Sequence, residues 1–286
     1  MPPPPTHDLT VVRYAEGWGY AASEWLEALR AIDWTDPRAP NGAKRLKIRA
    51  DADATVWQVD LSLGSRRHSV VLKVEPLDSP LRLVRSWLGW TKHNRQWQGA
   101  ELLHARGIPA AHCLAILRSA GAGRTCEVLV TELLPGRSVL ELLASGTLSV
   151  RRQHALARAV GRLYAKFMHQ GLMVRDPKPS NILVTSWHDG QPTLAMVDTV
   201  DVRRGSMRPG DIIKGYYEPA GIGAAPRRSL ALLAVRAMVE AGSDGLKPDR
   251  GRIRSAVRAI WSQALAEIRR RGDSTPADDP LRRDPD

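Results

Sequence analysis

The stretch Val174-Arg175-Asp176-Pro177-Lys178-Pro179-Ser180-Asn181 sets a carboxylate, a lysine and a carboxamide at i, i+2 and i+5. Phosphoryl transfer needs such a trio close together. A carboxylate orients the attacking hydroxyl and takes its proton, a cation offsets charge on the moving phosphate, and a carboxamide oxygen ligates Mg²⁺. The apolar run Ile182-Leu183-Val184 follows at once and reads as a strand. Further on, Met196-Val197-Asp198 is a second apolar run ending in a lone carboxylate, where a second metal ligand is expected. Upstream, Val70-Val71-Leu72-Lys73-Val74 places a lysine inside a β-type run, and an ammonium there requires a partner.

The surrounding sequence supplies elements to hold these groups. Strands are expected near residues 45–50, 55–62, 68–75, 110–117 and 126–133, and helices near 83–106, 138–144, 150–170, 226–241 and 249–271. In the helix over 150–170, Leu156, Val160, Leu163 and Phe167 fall on one stripe and read as core. Residues 1 to about 19 read as irregular, 21–32 as a short helix with Trp25, Leu26, Leu29 and Ile32 on one side, and the Pro/Gly-containing stretch up to residue 42 as a linker. Arg118 to Arg124 reads as a Gly-containing turn, and 272–286 as a coreless tail expected to be disordered.

A strand lysine, a loop close to Arg-Asp-x-Lys-x-x-Asn and a later lone aspartate, in that order, resemble the protein-kinase-like fold. The resemblance implies an α+β, two-lobed architecture with a small antiparallel-sheet N-lobe and a mostly helical C-lobe. Residues 1–42 would be an extension and linker, 43–134 the N-lobe, 135–271 the C-lobe and 272–286 the tail. It implies ATP and Mg²⁺ as cofactors, Asp176 as base and Lys178 against the transferring phosphate, with Asn181 and Asp198 on the metal. Lys73 would reach the α- and β-phosphates, held by a helix carboxylate. Glu101 is the only acid in the 83–106 segment, and Gln96 is the competing alignment, where no ion pair forms. Thr131-Glu132-Leu133-Leu134-Pro135-Gly136 takes the place of the hinge, where backbone groups around Glu132 and Leu134 would pair with adenine.

The departures from the pattern are specific. Asp51-Ala52-Asp53-Ala54 stands where protein kinases carry a Gly-rich loop, Val174 where they carry histidine, and Thr199-Val200-Asp201 where Phe-Gly would follow the metal ligand. The segment to about Tyr217 has no evident activation-loop anchor, which points away from protein substrates. Arg203, Arg204, Arg208 and Lys214 crowd it and would suit an acidic acceptor or a solvated basic loop.

Within that fold the tract Arg95-Gln96-Trp97, then Glu101-Leu102-Leu103-His104-Ala105-Arg106-Gly107-Ile108-Pro109, resembles the bacterial lipopolysaccharide kinase (Kdo/heptose kinase) family over roughly residues 45–240. At Gln96 that family usually shows glutamate. The resemblance implies transfer of the ATP γ-phosphate to a sugar hydroxyl of the lipid-linked inner core. The expected partner is an anionic sugar or glycolipid, with peripheral contact at the inner membrane.

Composition agrees with a folded protein: 286 residues, 43% hydrophobic and 25% charged. Cys113 and Cys126 sit in apolar runs and read as buried thiols. No run approaches the length of a membrane span, and Met1-Pro2-Pro3-Pro4-Pro5 lacks a signal-peptide profile, so a cytoplasmic location is expected. The net charge of +12 favours acidic partners, although no nucleic-acid motif accompanies it and no specific nucleic acid is expected. Trp87, Trp90 and Trp97 lie among Arg82, Arg85, Lys92, His93 and Arg95, a mixture that suits an anionic lipid interface. The plainer expectation, preferred at this point, is that these tryptophans pack on the sheet. Two competing functions stand beside the glycolipid kinase. One is a pseudokinase acting as a binding or regulatory module, favoured by the missing glycines. The other is a small-molecule kinase of the aminoglycoside or choline phosphotransferase kind, disfavoured by the basic 203–214 segment.

Overall fold

Long β-type runs joined by tight turns dictate the first part of the structure. Thr55–Leu63 (β4) and Arg66–Pro76 (β5) pair antiparallel from Leu63↔Arg66 to Thr55↔Val74. Their two-residue connection begins at Gly64, whose φ of 59° is the left-handed conformation such turns demand. The computed structural model describes residues 9–14, 17–32, 36, 42–48, 55–119, 125–175, 177–207, 228–242 and 249–271. The chain forms two compact units, one of Met1–Glu101 with Ala111–Leu133, the other of Leu102–Ala110 with Leu134–Asp286.

The first unit is a seven-stranded antiparallel sheet in the order β1-β2-β6-β7-β5-β4-β3, adding Leu9–Tyr14 (β1), Gly17–Ala22 (β2), Lys44–Ile48 (β3), Cys113–Ser119 (β6) and Cys126–Glu132 (β7). Alternation sends Val70, Leu72, Val74, Val128 and Val130 to one face, where Trp25 and Leu29 of the short helical segment Ser23–Trp25 and Leu26–Arg30 (α1) cover them. Ile116, Leu129 and Cys113 point to the other face, against Trp97 and Ala100 of helix Lys92–His104 (α3). Here the structure departs from expectation. The stretch before residue 20 contributes two strands, and the predicted helix over 21–32 is shortened because β2 runs through Ala22. Gly19 explains the close seating of β2 on β6: a Cβ there would lie 2.2 Å from the Ile116 carbonyl oxygen.

The predicted helix over 83–106 is two helices, Pro80–Trp87 (α2) and α3. Ser79 caps α2 by accepting from Arg82 N. The helix then ends in a Schellman turn, with Gly89 N donating to Ser86 O, Trp90 N to Arg85 O, and Gly89 at φ 70°. Thr91 Oγ1 starts α3 by accepting from Asn94 N at 3.2 Å. The continuous apolar pattern hid this break, which one glycine conformation sets.

In the second unit Val150–His169 (α5) is the core helix. Leu156, Val160, Leu163 and Phe167 are buried with Leu172, Ile182, Val184 and Met196. Gly161 lets Arg228–Ala241 (α6) approach closely, since a Cβ there would meet Ala234 O at 2.1 Å. Arg250–Arg271 (α7) contributes Ile260 to the same core. Arg137–Ser138 (β8) leads into Val139–Ala144 (α4), whose start is a capping box between Ser138 and Glu141. Ile182–His188 (β10) and Gln191–Met196 (β11) form a hairpin with β8 on its flank, and Leu172–Val174 (β9) pairs with Val202–Arg204 (β12). The predicted tail over 272–286 lies outside the described residues.

Candidate active site

The β10–β11 hairpin brings two of the singled-out oxygen donors to one end of one element. The ladder pairs Ile182 with Met196, and one step beyond it Val197 N donates to Asn181 O at 3.1 Å. Asn181 therefore enters the first hairpin strand as Asp198 leaves the second. Lys178 precedes Asn181 in the same turn, with Asn181 N donating to Lys178 O at 2.9 Å. The 3₁₀ turn Pro179–Asn181 has proline at its first position, which fixes φ where no amide donor is needed. Asp198 closes a small turn of its own, one carboxylate oxygen accepting from Val200 N at 3.3 Å. The chain then returns to β9, with Val202 N on Thr199 O at 3.0 Å and Arg175 N on Asp201 O at 3.3 Å. Buried Tyr164 of α5 donates its phenol to Pro177 O at 3.0 Å, tying the loop to the core helix. Sequence reading passed over Tyr164, which sits beside the apolar stripe and looks like one more core residue. Asp176 itself lies outside the described residues, as do Asp51, Asp53, Arg208 and Lys214.

The tract ahead of β6 acquires a mechanical role. Helix α3 ends at Gly107, φ 61°, with Gly107 N on His104 O and Ile108 N on Leu103 O, while Leu103 and Ile108 are both fully buried. Pro109 O then accepts from Met196 N at 3.0 Å. The Gly-Ile-Pro sequence thus fixes the strand end just before Asp198. His104 Nε2 lies 2.9 Å from Ala110 O and steadies the same turn.

In the sheet unit, Lys73 is half-buried on β5 opposite Leu129 of β7, on the face covered by α3. Its Nζ donates to Gln96 Oε1 at 2.8 Å. A carboxamide oxygen on α3 thus accepts from the ammonium. Glu101, one turn further along α3, sits in the same neighbourhood. The thiol of buried Cys113 is pushed up to about 12 from an ordinary 9.0, first by burial, with Lys73 opposing and Glu101 and Glu132 adding to the rise. Glu132 N donates to His112 O at 3.0 Å and its Oε1 accepts from His112 N at 2.8 Å, which squares off the end of β7. Leu133 N continues the ladder onto Ser69 O. Leu134, Lys178, Asn181 and Asp198 belong to the other compact unit.

One turn before Gln96, α3 buries His93 against Glu127 of β7, Nδ1 to Oε1 at 3.3 Å. Ser86 of α2 donates to Glu127 Oε2 at 2.5 Å and receives Arg118 Nε at 2.6 Å, while Arg118 Nη2 donates to the Ser86 carbonyl. Arg118, expected in a turn, is buried on β6 opposite Glu127. Burial pushes the Glu127 carboxyl up, but the hydrogen bond and charge of His93 and the hydroxyls of Ser86 and Thr91 outweigh it, leaving the group below the usual carboxylate range. The signal was present in the sequence: Glu127 is a charge set against the apolar run Val128-Leu129-Val130, as Lys73 is against Val70-Val71-Leu72.

For Mg²⁺, a carboxamide oxygen and a carboxylate at one hairpin end are hard oxygen donors of the right kind. Among the described residues no group of three or more His, Cys, Asp and Glu side chains gathers as a self-sufficient metal cage. Asn181 and Asp198 alone would leave the coordination of such an ion to be completed by other oxygen donors.

Comparison with known proteins now bears on this geometry. Residues 81–208, which include α3, the Gly-Ile-Pro turn and the hairpin, match the family described as Lipopolysaccharide kinase (Kdo/WaaP) family. A solved structure described as WaaP in complex with acyl carrier protein superposes with a TM-score of 0.53 at 17% identity, covering 85% of this chain and 89% of that one. The fold is that of a Kdo/WaaP-like kinase. This α+β kinase fold also accounts for a more limited likeness to the serine/threonine-protein kinase PknA of Mycobacterium tuberculosis and of Mycobacterium bovis. Each is 33% identical over 132 residues, 46% of this chain. The chain spans 29% of the length of those curated relatives. Each of these likenesses is to a kinase.

Proposed function

We propose that the chain is an ATP-dependent phosphotransferase that moves the γ-phosphate to a hydroxyl of a lipopolysaccharide core sugar or related glycolipid, at the cytoplasmic face of the membrane. The observation that carries this is the convergence of Asn181 and Asp198 at one end of the β10–β11 hairpin, with Lys178 in the same turn, inside the segment matched by the lipopolysaccharide kinase family. In this reading residues 43–134 act as N-lobe and 135–271 as C-lobe. Lys73 neutralises the α- and β-phosphates, Asp176 orients the acceptor hydroxyl and takes its proton, and Lys178 offsets charge on the moving phosphoryl group. Asn181 and Asp198 hold Mg²⁺, which supplies further charge neutralisation when bound. Glu132 and Leu134 flank the segment that meets adenine, and Glu101 supports the lysine from α3.

Purified protein with radiolabelled ATP, Mg²⁺ and lipid-linked core oligosaccharide tests it. Transfer to the glycolipid is expected, falling at least about 100-fold in Asp176→Asn and in Asp198→Asn. Mg-ATP at a hundred times its Kd should raise Tm by roughly 2–4 °C, and Asp198→Asn should lose that rise. Absence of both transfer and the melting shift at millimolar Mg-ATP would refute the reading. A second reading is a binding module that has kept the fold, favoured by the absence of glycine from Asp51-Ala52-Asp53-Ala54. A melting shift without transfer to any hydroxyl acceptor would select it.

A further inference from the structure

Helix α2 and the turn after it present an apolar face to solvent. Leu81, Val84, Trp87, Leu88 and Trp90 are all exposed, Trp87 at 64% and Trp90 at 71%, whereas Trp97 of α3 is buried at 5%. Sequence expectation had all three tryptophans on the sheet; the break at Gly89 separates them. At roughly 100° per residue, Leu81, Val84, Trp87 and Leu88 share one arc of α2, while buried Ser86 lies on the side held by Glu127. Arg85 borders the apolar arc, whereas the Arg82 guanidinium is held by Asp78 Oδ1 at 3.1 Å and Pro76 O at 3.3 Å. From Asp78 to Arg95 the chain carries four bases and one acid, within a protein of net charge +12.

We infer that this face of α2 docks on an anionic lipid surface. Tryptophan rings prefer the headgroup level of a bilayer, leucine and valine reach the acyl boundary, and an arginine beside them, Arg85, keeps its guanidinium at lipid phosphate. The charge complements an anionic leaflet. The presentation is rigid. The Trp90 backbone amide is held on Arg85 O at 2.8 Å, and α2 is anchored beneath by Ser86, which bonds Glu127 and Arg118. Little order has to be gained on docking, so apolar burial is retained as affinity. No helix among the described residues is long and apolar enough to cross a membrane, so this contact is peripheral. An acidic soluble partner would match the charge but gives no reason for two solvent-facing indoles beside leucine and valine.

The test is flotation of the full chain with vesicles of phosphatidylglycerol and phosphatidylethanolamine, compared with phosphatidylcholine alone. Wild type is expected to float with the anionic vesicles. A double variant, Trp87→Ser with Trp90→Ser, leaves the net charge unchanged and is expected to bind about tenfold more weakly. Arg85→Gln should weaken binding to anionic vesicles by a few-fold. Because these side chains are exposed, the melting temperature should stay at the wild-type value. A Trp87→Phe, Trp90→Phe variant serves as a packing-neutral control whose loss of quenching by brominated lipids locates the contact. Three results would overturn the inference: failure of wild type to float, flotation of the Trp→Ser variant equal to wild type, or a wild-type dimer that the Trp→Ser change dissociates. Vesicle binding needs no turnover, so it fails or holds independently of the phosphotransferase assay.

Discussion

At the scale of single residues, the pairing of Lys73 with Gln96 makes the sharpest forecast. The carboxamide hydrogen bond at 2.8 Å orients the ammonium and leaves it its charge for phosphate. Gln96→Glu is therefore expected to keep turnover, with the KM for ATP within about tenfold of wild type. Lys73→Ala should lower kcat/KM by at least about 100-fold. Steady-state kinetics on both variants checks this, and equal losses would remove Gln96 from the site. Cys113 gives a second forecast. With its thiol pushed up to about 12 by burial, it holds almost no thiolate at pH 8 and should resist iodoacetamide until the protein is unfolded. Rapid alkylation of the native protein, read by mass spectrometry, would contradict the packing around it. These residues also mark how far the sequence could be read. The strand position of Lys73 was evident from its apolar neighbours. Its contact with Gln96 was not, because that depends on where α3 begins, and that is set by Gly89 and Thr91.

At the scale of elements, α3 is positioned at both ends, and each end suggests a measurement. Near its start, His93 and Ser86 surround Glu127, itself only 1% exposed. Glu127→Ala would leave the buried Ser86 hydroxyl without its acceptor and Arg118 and His93 without the carboxylate they face, an expected loss of about 3–5 kcal/mol in denaturant unfolding. At its other end, Gly107 at φ 61° has open space around an added Cβ. The cost of Gly107→Ala is thus confined to the left-handed backbone, about 1–2 kcal/mol. Loss of the Met196 anchor on Pro109 as well would show as a larger drop and as weaker Mg-ATP binding. The longest elements were legible because their periodicity is strong: β4, β5, β7, α5 and α6 begin and end within a few residues of expectation. The β1–β2 hairpin was not legible. Its proline-led approach suggests irregular chain, and its place beside β6 depends on the absent side chain at Gly19.

At the scale of the whole molecule, charge and acid sensitivity dominate. Glu127 is depressed below the usual carboxylate range, so its contribution to stability is present above the unfolded value near 4.5 and lost as pH falls through the lower folded value. The stability curve below pH 4.5 should flatten in Glu127→Gln relative to wild type, as followed by circular dichroism during acid titration. The overall α+β kinase architecture was readable from three separated motifs in order, because each demands a particular element around it: a strand for Lys73, a turn for Lys178 and Asn181, and a strand end for Asp198. The exposed tryptophans were not readable. Hydrophobic pattern alone cannot tell a face turned to a sheet from a face turned to solvent.

The short path around Asp198 has a regulatory consequence. Between Val197 and Val202 the chain is held by hydrogen bonds to Asn181, Asp198, Thr199 and, through Asp201, to Arg175. Turning this aspartate away would break about four of them, at about 1 kcal/mol each. A population turned away would be on the order of one molecule in a thousand. Among the described residues this turn is thus held in one arrangement, and slow amide exchange at Val197, Val200 and Val202 would attest to it. For the phosphotransferase proposed above, a fixed Asp198 turn would leave output to follow abundance and the arrival of acceptor, with control exerted on synthesis, turnover or substrate traffic.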